Sequence, residues 1–248
     1  MTEFRPGSFQ ILPTVVKNLL IINGLVFLAQ MTLPSILHVH VTEMFALHYW
    51  RSDLFKPYQF LTHMFMHGGW EHILFNMFAL WMFGSVLENY WGPKRFLIFY
   101  MICGLGAALV YMVVLDWRFH IMAAQNGYTV TQIGSLWTQY ENHISTAFAS
   151  LPQSLIQVWV EPTLGASGAI FGCLAAFGLL FPNSMIYFYF FIPMKAKWFV
   201  LGYIALELYL GIKNSPTDNV AHFAHLGGAL FAFILIKLWN KGGRRNFS

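Results

Sequence analysis

Ser167 stands in the run Gly165-Ala166-Ser167-Gly168, and His225 in Ala224-His225-Leu226-Gly227-Gly228. Small flanking residues let a second helix or a peptide backbone approach closely. Gly168, Gly172 and Ala176 recur every fourth residue, while His225, Gly228, Ala229 and Ala232 follow at spacings of three and four, so each set makes one smooth helix face. If the two faces pack together, the Ser167 hydroxyl and the His225 imidazole come within hydrogen-bond reach as a nucleophile and its general base. Either residue alone would be an ordinary interhelical polar contact; it is the pair of matching faces that points to chemistry.

His72 and Asn76 lie four residues apart and share a helix face. An imidazole and a carboxamide can both donate hydrogen bonds without carrying a fixed charge, as an oxyanion site in an apolar setting requires. The backbone N–H of Ser167, at a helix amino terminus, would be a third donor. The plainer alternative for His72 and Asn76 is interhelical glue. His63 and His67 add a further pair at the same spacing and suggest zinc. However, His67 to Glu71-His72 has one residue too many for His-x-x-Glu-His, and His-Glu-x-x-His does not occur. The spacing therefore disfavours zinc. Gly165 to Ala169 also lacks the second glycine of the Gly-x-Ser-x-Gly elbow. Glu207 is a lone acid in an apolar run, with pairing, protonation or contact with water open to it. Asp218 reads as a helix cap and His222 as a packed neighbour of His225.

The elements that must position these groups follow from composition. The 248 residues are 57% hydrophobic and 10% charged, with a mean hydropathy of +0.56. Soluble domains carry about 25% charged residues, so a soluble enzyme is unlike this chain. Fourteen basic and ten acidic residues give a net charge of +4, too sparse for a nucleic-acid surface and better read as a topology signal. Six apolar runs suit membrane spans: Asn18 to Leu33, His72 to Tyr90, Phe96 to Leu115, Ser167 to Phe181, Trp198 to Ile212 and Asn219 to Trp239. The first is expected to be retained, since Glu3 precedes it and no Ala-x-Ala site follows. Residues 1–17 and 240–248 read as tails and 18–239 as the membrane domain. With a cytoplasmic amino terminus, inner segments hold ten basic residues and the outer loops four, Arg51, Lys56, Arg118 and Lys213, which places both termini in the cytoplasm.

Two outer connections are long. The first, about Pro34 to Glu71, is aromatic and suits helical segments in the interface; the second, about Asp116 to Gly165, is polar and suits short surface helices. The fourth span is too short for a ~30 Å hydrocarbon core, so Ser167 should lie below the outer surface, unless Met185 to Phe191 extends it. Trp70, Trp91, Trp198 and Trp239 fall near span ends, as an interfacial belt. Cys103 and Cys173 read as buried thiols.

His72-Ile73-Leu74-Phe75-Asn76, Gly165-Ala166-Ser167-Gly168 and Ala224-His225-Leu226-Gly227-Gly228, in this order, resemble the three motifs of the rhomboid family of intramembrane serine proteases. The resemblance implies an all-α, polytopic, six-transmembrane-helix bundle that cleaves membrane proteins in or near their transmembrane segments, without metal or organic cofactor. It implies Ser167 as nucleophile and His225 as base, a dyad without an orienting aspartate, with His72, Asn76 and the Ser167 N–H at the oxyanion. His63 and His67 match supporting histidines. Three departures stand out. Pro57-Tyr58-Gln59-Phe60 occupies the place of a Trp-Arg pair before the second span, Phe171 stands where a tyrosine often packs on the histidine, and Ala232 replaces a glycine. The partners implied are transmembrane substrates and the lipid bilayer, with no nucleic acid, and the expected location is a bacterial inner membrane. A noncatalytic binding or quality-control factor, and less readily a small-solute transporter, are the competing readings.

Overall fold

The computed structural model describes residues 9–188, 192–213 and 221–243. Five long helices span Thr14–Leu37, Pro93–Gln125, Ser167–Leu180, Ala196–Lys213 and His222–Gly243. The remaining long helix, second in chain order, covers residues 70–91. It consists of Trp70–Ala79, a π turn at Leu80–Gly84, and Ser85–Trp91. All six expected spans therefore fall on helices. By length and hydropathy, Thr14–Leu37, Pro93–Gln125 and His222–Asn240 are each sufficient to cross a bilayer.

Local chemistry explains several boundaries. A buried carboxylate from the second helix, Glu88, accepts the Val15 and Val16 N–H groups at 2.9 and 2.8 Å and so caps the first helix from outside its own sequence. Gly92, at φ +79°, ends the second helix, and Pro93 begins the third at the position where a missing N–H costs nothing. Asp116 and Arg118 read as the end of the third span, yet that helix continues to Gln125, 33 residues in all or about 50 Å. The fourth helix has 14 residues, about 21 Å, well short of the ~30 Å core. The apolar run after Pro182 does not extend it. Instead β1 (Met185–Phe188) pairs antiparallel with β2 (Ile192–Lys195), in the register Met185 to Lys195 and Phe188 to Ile192, a small addition to the otherwise helical fold. Asp218 and Asn219 lie outside the described residues.

The sixth helix packs most extensively on the fourth and third. A side chain at Gly228 would fall on the Gly168 carbonyl, one at Gly172 would meet Cys103 at 2.7 Å, and one at Gly227 would meet Val110 at 2.8 Å. The three helices thus touch through backbone and small groups, as the four-residue spacing implies. Cys103 and Cys173 are both buried and free.

At the expected outer end, the first connection contains short helices at Val41–Phe45 and Gln59–Thr62, and the second contains Val130–Glu141 and Gln153–Val160. A separate core of Tyr49, Phe119, Ile133, Trp137, Phe148 and Trp159 joins them. The Tyr49 hydroxyl, Trp50 Nε1 and Arg51 Nε all donate to Asp116 Oδ1, at 2.7, 2.9 and 2.7 Å. A Trp-Arg pair, Trp50-Arg51, is thus present in the first connection, upstream of Pro57-Tyr58-Gln59-Phe60. Gln59, within that run, is buried and fully bonded: its oxygen accepts the His48 and Lys56 N–H groups and its nitrogen donates to the Met44 and Leu54 carbonyls. At the other end, the Arg95 guanidinium lies 4.1 Å from the Trp239 ring centroid, and Trp91 meets Trp239 edge-on at 5.3 Å. Trp70 and Trp198 are exposed, in keeping with an interfacial belt.

Candidate active site

The segment leading to Ser167 is stitched to the first connection. Leu47 and Thr163 exchange both backbone hydrogen bonds at 2.8 Å, and the Gly165 N–H donates to the His63 carbonyl at 2.9 Å. Gly165 then takes φ +131°, a region open to glycine but not to side chains. A Cβ there would stand 3.0 Å from His72 Nε2 and 3.5 Å from Ser167 Oγ. The absent side chain is therefore the space that His72 and Ser167 share. The helix starts at Ser167, so its N–H has no carbonyl one turn back and faces the helix entrance.

From the sixth helix, His225 Nε2 lies 2.9 Å from Ser167 Oγ. Phe171, one turn after Ser167, stacks on the imidazole with centroids 4.0 Å apart and planes 2° from parallel. A phenylalanine thus packs on the histidine where the family pattern suggested a tyrosine. On its far side Phe171 stacks on Tyr203 at 5.0 Å, and Tyr203 stacks on Phe199 at 6.0 Å.

No aspartate lies beside His225 among the contacts of the described residues, but a glutamate does, and of the alternatives open to Glu207 the structure shows pairing. Glu207 Oε2, from the fifth helix, is 3.0 Å from His225 Nδ1, although the contact lacks the alignment of a hydrogen bond. The same oxygen accepts from His222 Nδ1 at 2.6 Å. His222 is therefore a ligand of Glu207 rather than a packed neighbour alone. The donor atoms of Glu207, His222 and His225 all lie within 4.8 Å of one another, a set that could hold a divalent cation by donor type. The sequence signal for this cluster was the lone acid, whose partners depend on how the fifth and sixth helices face each other.

His72 Nδ1 accepts the Gly68 N–H at 3.2 Å. Its proton must then reside on Nε2, which faces the Gly165 and Ser167 region as a donor. Asn76 is buried, and its Nδ2 lacks a hydrogen-bond partner. It sits one turn beyond His72 without a bond to Ser167. His63 Nδ1 bonds the Gln59 carbonyl at 2.9 Å, and His67 meets the His72 ring edge-on at 5.2 Å. Burial holds both His63 and His67 down to about 4, so both are neutral near pH 7. Neither belongs to a metal-compatible cluster among the described residues.

A model of the rhomboid domain matches residues 54–241, about three quarters of the chain and all three motifs. The chain belongs to the rhomboid family. This rhomboid is 25% identical over 273 residues to an uncharacterized mitochondrial rhomboid protein of Schizosaccharomyces pombe, covering 95% of this chain and 68% of that one. It is 29% identical over 185 residues to a mitochondrial rhomboid-like protein of Arabidopsis thaliana, covering 73% and 46% respectively. It is also 26% identical over 193 residues to the rhomboid protease GluP of Bacillus subtilis, covering 77% of this chain and 29% of GluP. The chain thus spans half or less of the length of two of these relatives. Because relatives occur in mitochondria as well as in bacteria, membership of the family places this rhomboid in a membrane without favouring a bacterial inner membrane.

Proposed function

We propose that this rhomboid is a serine endopeptidase that hydrolyses peptide bonds in or near the transmembrane segments of membrane-protein substrates. The observation that carries the reading is the 2.9 Å contact between His225 Nε2 and Ser167 Oγ. As Ser167 attacks a substrate carbonyl, His225 takes the hydroxyl proton and returns it to the departing amine, leaving an acyl enzyme. His225 then draws a proton from water as that water attacks the ester, and returns that proton to Ser167 Oγ as the carboxylic acid product leaves. In this reading His72 Nε2–H and the Ser167 N–H meet the oxyanion, a role supported by His72 beside Gly165 and by the unpartnered Asn76 Nδ2 one turn on; each such donor is worth about 10² to 10³ in rate. The neutral donors suit a buried site because they bring no charge that needs its own counterion.

The short fourth helix supports access for water, since its roughly 21 Å cannot span a ~30 Å hydrocarbon core. The basic-rich connections support cytoplasmic termini, with Ser167 opening toward the opposite side. The test is cleavage of a labelled transmembrane substrate by purified protein in liposomes. Ser167→Ala and His225→Ala are expected to lower turnover by at least about 10³-fold, with the fold retained. Undiminished cleavage by Ser167→Ala would remove the nucleophile assignment. A wild type inert toward varied substrates yet able to bind them would favour a noncatalytic binding role.

A further inference from the structure

We propose that Glu207 is a positioning residue that orients His225 through Nδ1 and stabilises the imidazolium formed when the Ser167 proton is taken, so that the site works as a Ser-His-Glu triad. The proposal rests on the protease reading and deepens it. For Nε2 to accept the Ser167 proton it must be bare, which puts the ring proton on Nδ1. That N–H points away from water, in a residue only 8% exposed, and the acceptor at its side is Glu207 Oε2 at 3.0 Å. The resting contact is poorly aligned. Hydrogen bonds of a catalytic base are commonly loose until charge develops, and a positive ring would draw the carboxylate in.

The carboxylate is itself held in place. Glu207 is 4% exposed, and His222 fixes its Oε2 through the 2.6 Å hydrogen bond. The fifth helix also supplies Tyr203 and Phe199, which lie four and eight residues before Glu207 and therefore on the same face. Through Phe171 this stacked column limits tilting of the His225 ring. Glu207 then controls rotation within the ring plane, the one freedom that stacking leaves. The groups facing His225 are Ser167, Glu207, His222 and, from the second helix, His72. Those facing Glu207 also include the Tyr203 phenol. Arg118, two turns before the end of the third helix, donates to the Gly211 carbonyl and covers Phe223 beside the cluster.

Glu207→Gln preserves size and the acceptor for His222 while removing the charge. In the same liposome assay it is expected to lower kcat by about 10- to 10³-fold with KM nearly unchanged. Losing the carboxylate disfavours the imidazolium, so the acidic limb of the kcat/KM profile should move to lower pH. Glu207→Asp should recover part of the rate. Thermal unfolding of each variant checks the fold. A Glu207→Gln enzyme with unchanged kcat and pH profile would overturn the proposal, leaving Glu207 as a tie between two helices while the protease reading stands. Wild-type activity that is abolished by a chelator and restored by zinc would overturn it too, by making the cluster a metal site. Inactive wild type, or active Ser167→Ala, would instead sink the protease reading itself.

Discussion

Gly165 shows how much can depend on one missing methyl group. Its φ of +131° and the 3.0 Å separation of a would-be Cβ from His72 act together. Gly165→Ala must therefore either strain the backbone, at a cost of about 1 to 3 kcal/mol, or push His72 away from the oxyanion position. We expect at least about a 10²-fold loss of cleavage, with a melting temperature lowered by only a few degrees. An alanine enzyme of full activity would show that His72 has no part at the oxyanion. The meeting of Ser167 with His225 was legible because each stands on a helix face of small residues that lets the two helices approach closely. Glu207 was visible as an anomaly but not as a partner. Its neighbours His222 and His225 follow a connection of unspecified geometry, and no periodicity relates the phase of one helix to that of the next.

Helix geometry governs the next scale. The fourth and sixth helices meet where Gly228 faces the Gly168 carbonyl, with no room for a side chain. Gly228→Ala forces the pair apart at the level of the site, and His225 retreats from Ser167 with its helix. The expected outcome is loss of cleavage together with destabilisation by about 1 to 3 kcal/mol, read from thermal unfolding in detergent. Tolerance of alanine with full activity and stability would mean that the helices do not cross there. The spacing of glycine and alanine is a weak signal by itself, and it took the pairing of two such faces, one bearing Ser167 and one His225, to point to this crossing. The strand pair after the fourth helix was not, because Met185 to Phe191 is apolar throughout and such a run suits a buried helix as well as a strand. The third helix was underestimated for the opposite reason. Asp116 and Arg118 look like an exit from the bilayer, but charge ends a membrane span without ending a helix, and Asp116 is taken up by Tyr49, Trp50 and Arg51.

At the scale of the whole molecule, the outer connections and the membrane bundle form one unit whose stability depends on pH. His63 and His67 ordinarily titrate near 6.5 and are held to about 4 when buried. The unfolded chain therefore binds more protons between those values, so stability is full above about pH 6.5 and falls as pH drops toward 4. Asp116 works in a lower window. Burial alone would raise it, but the bonds from Arg51, Trp50 and Tyr49 prevail and bring it from 3.8 to about 2. Its contribution is retained down to pH 3.8 and is lost only below that. Melting temperatures should therefore decline between pH 6.5 and 4, and replacing His63 or His67 with glutamine should flatten the decline. A profile unaffected by either change would show that these imidazoles are accessible to protons in the folded state.

The third helix runs about ten residues, roughly 15 Å, past the end expected for its span. Its far end is gripped by the aromatic cap, while its inner stretch bears Ala107 and Cys103 against the glycines of the fourth helix. One unbroken helix therefore carries both part of the aromatic cap and part of the wall packed against the helix that begins at Ser167, so the two share a single rigid support.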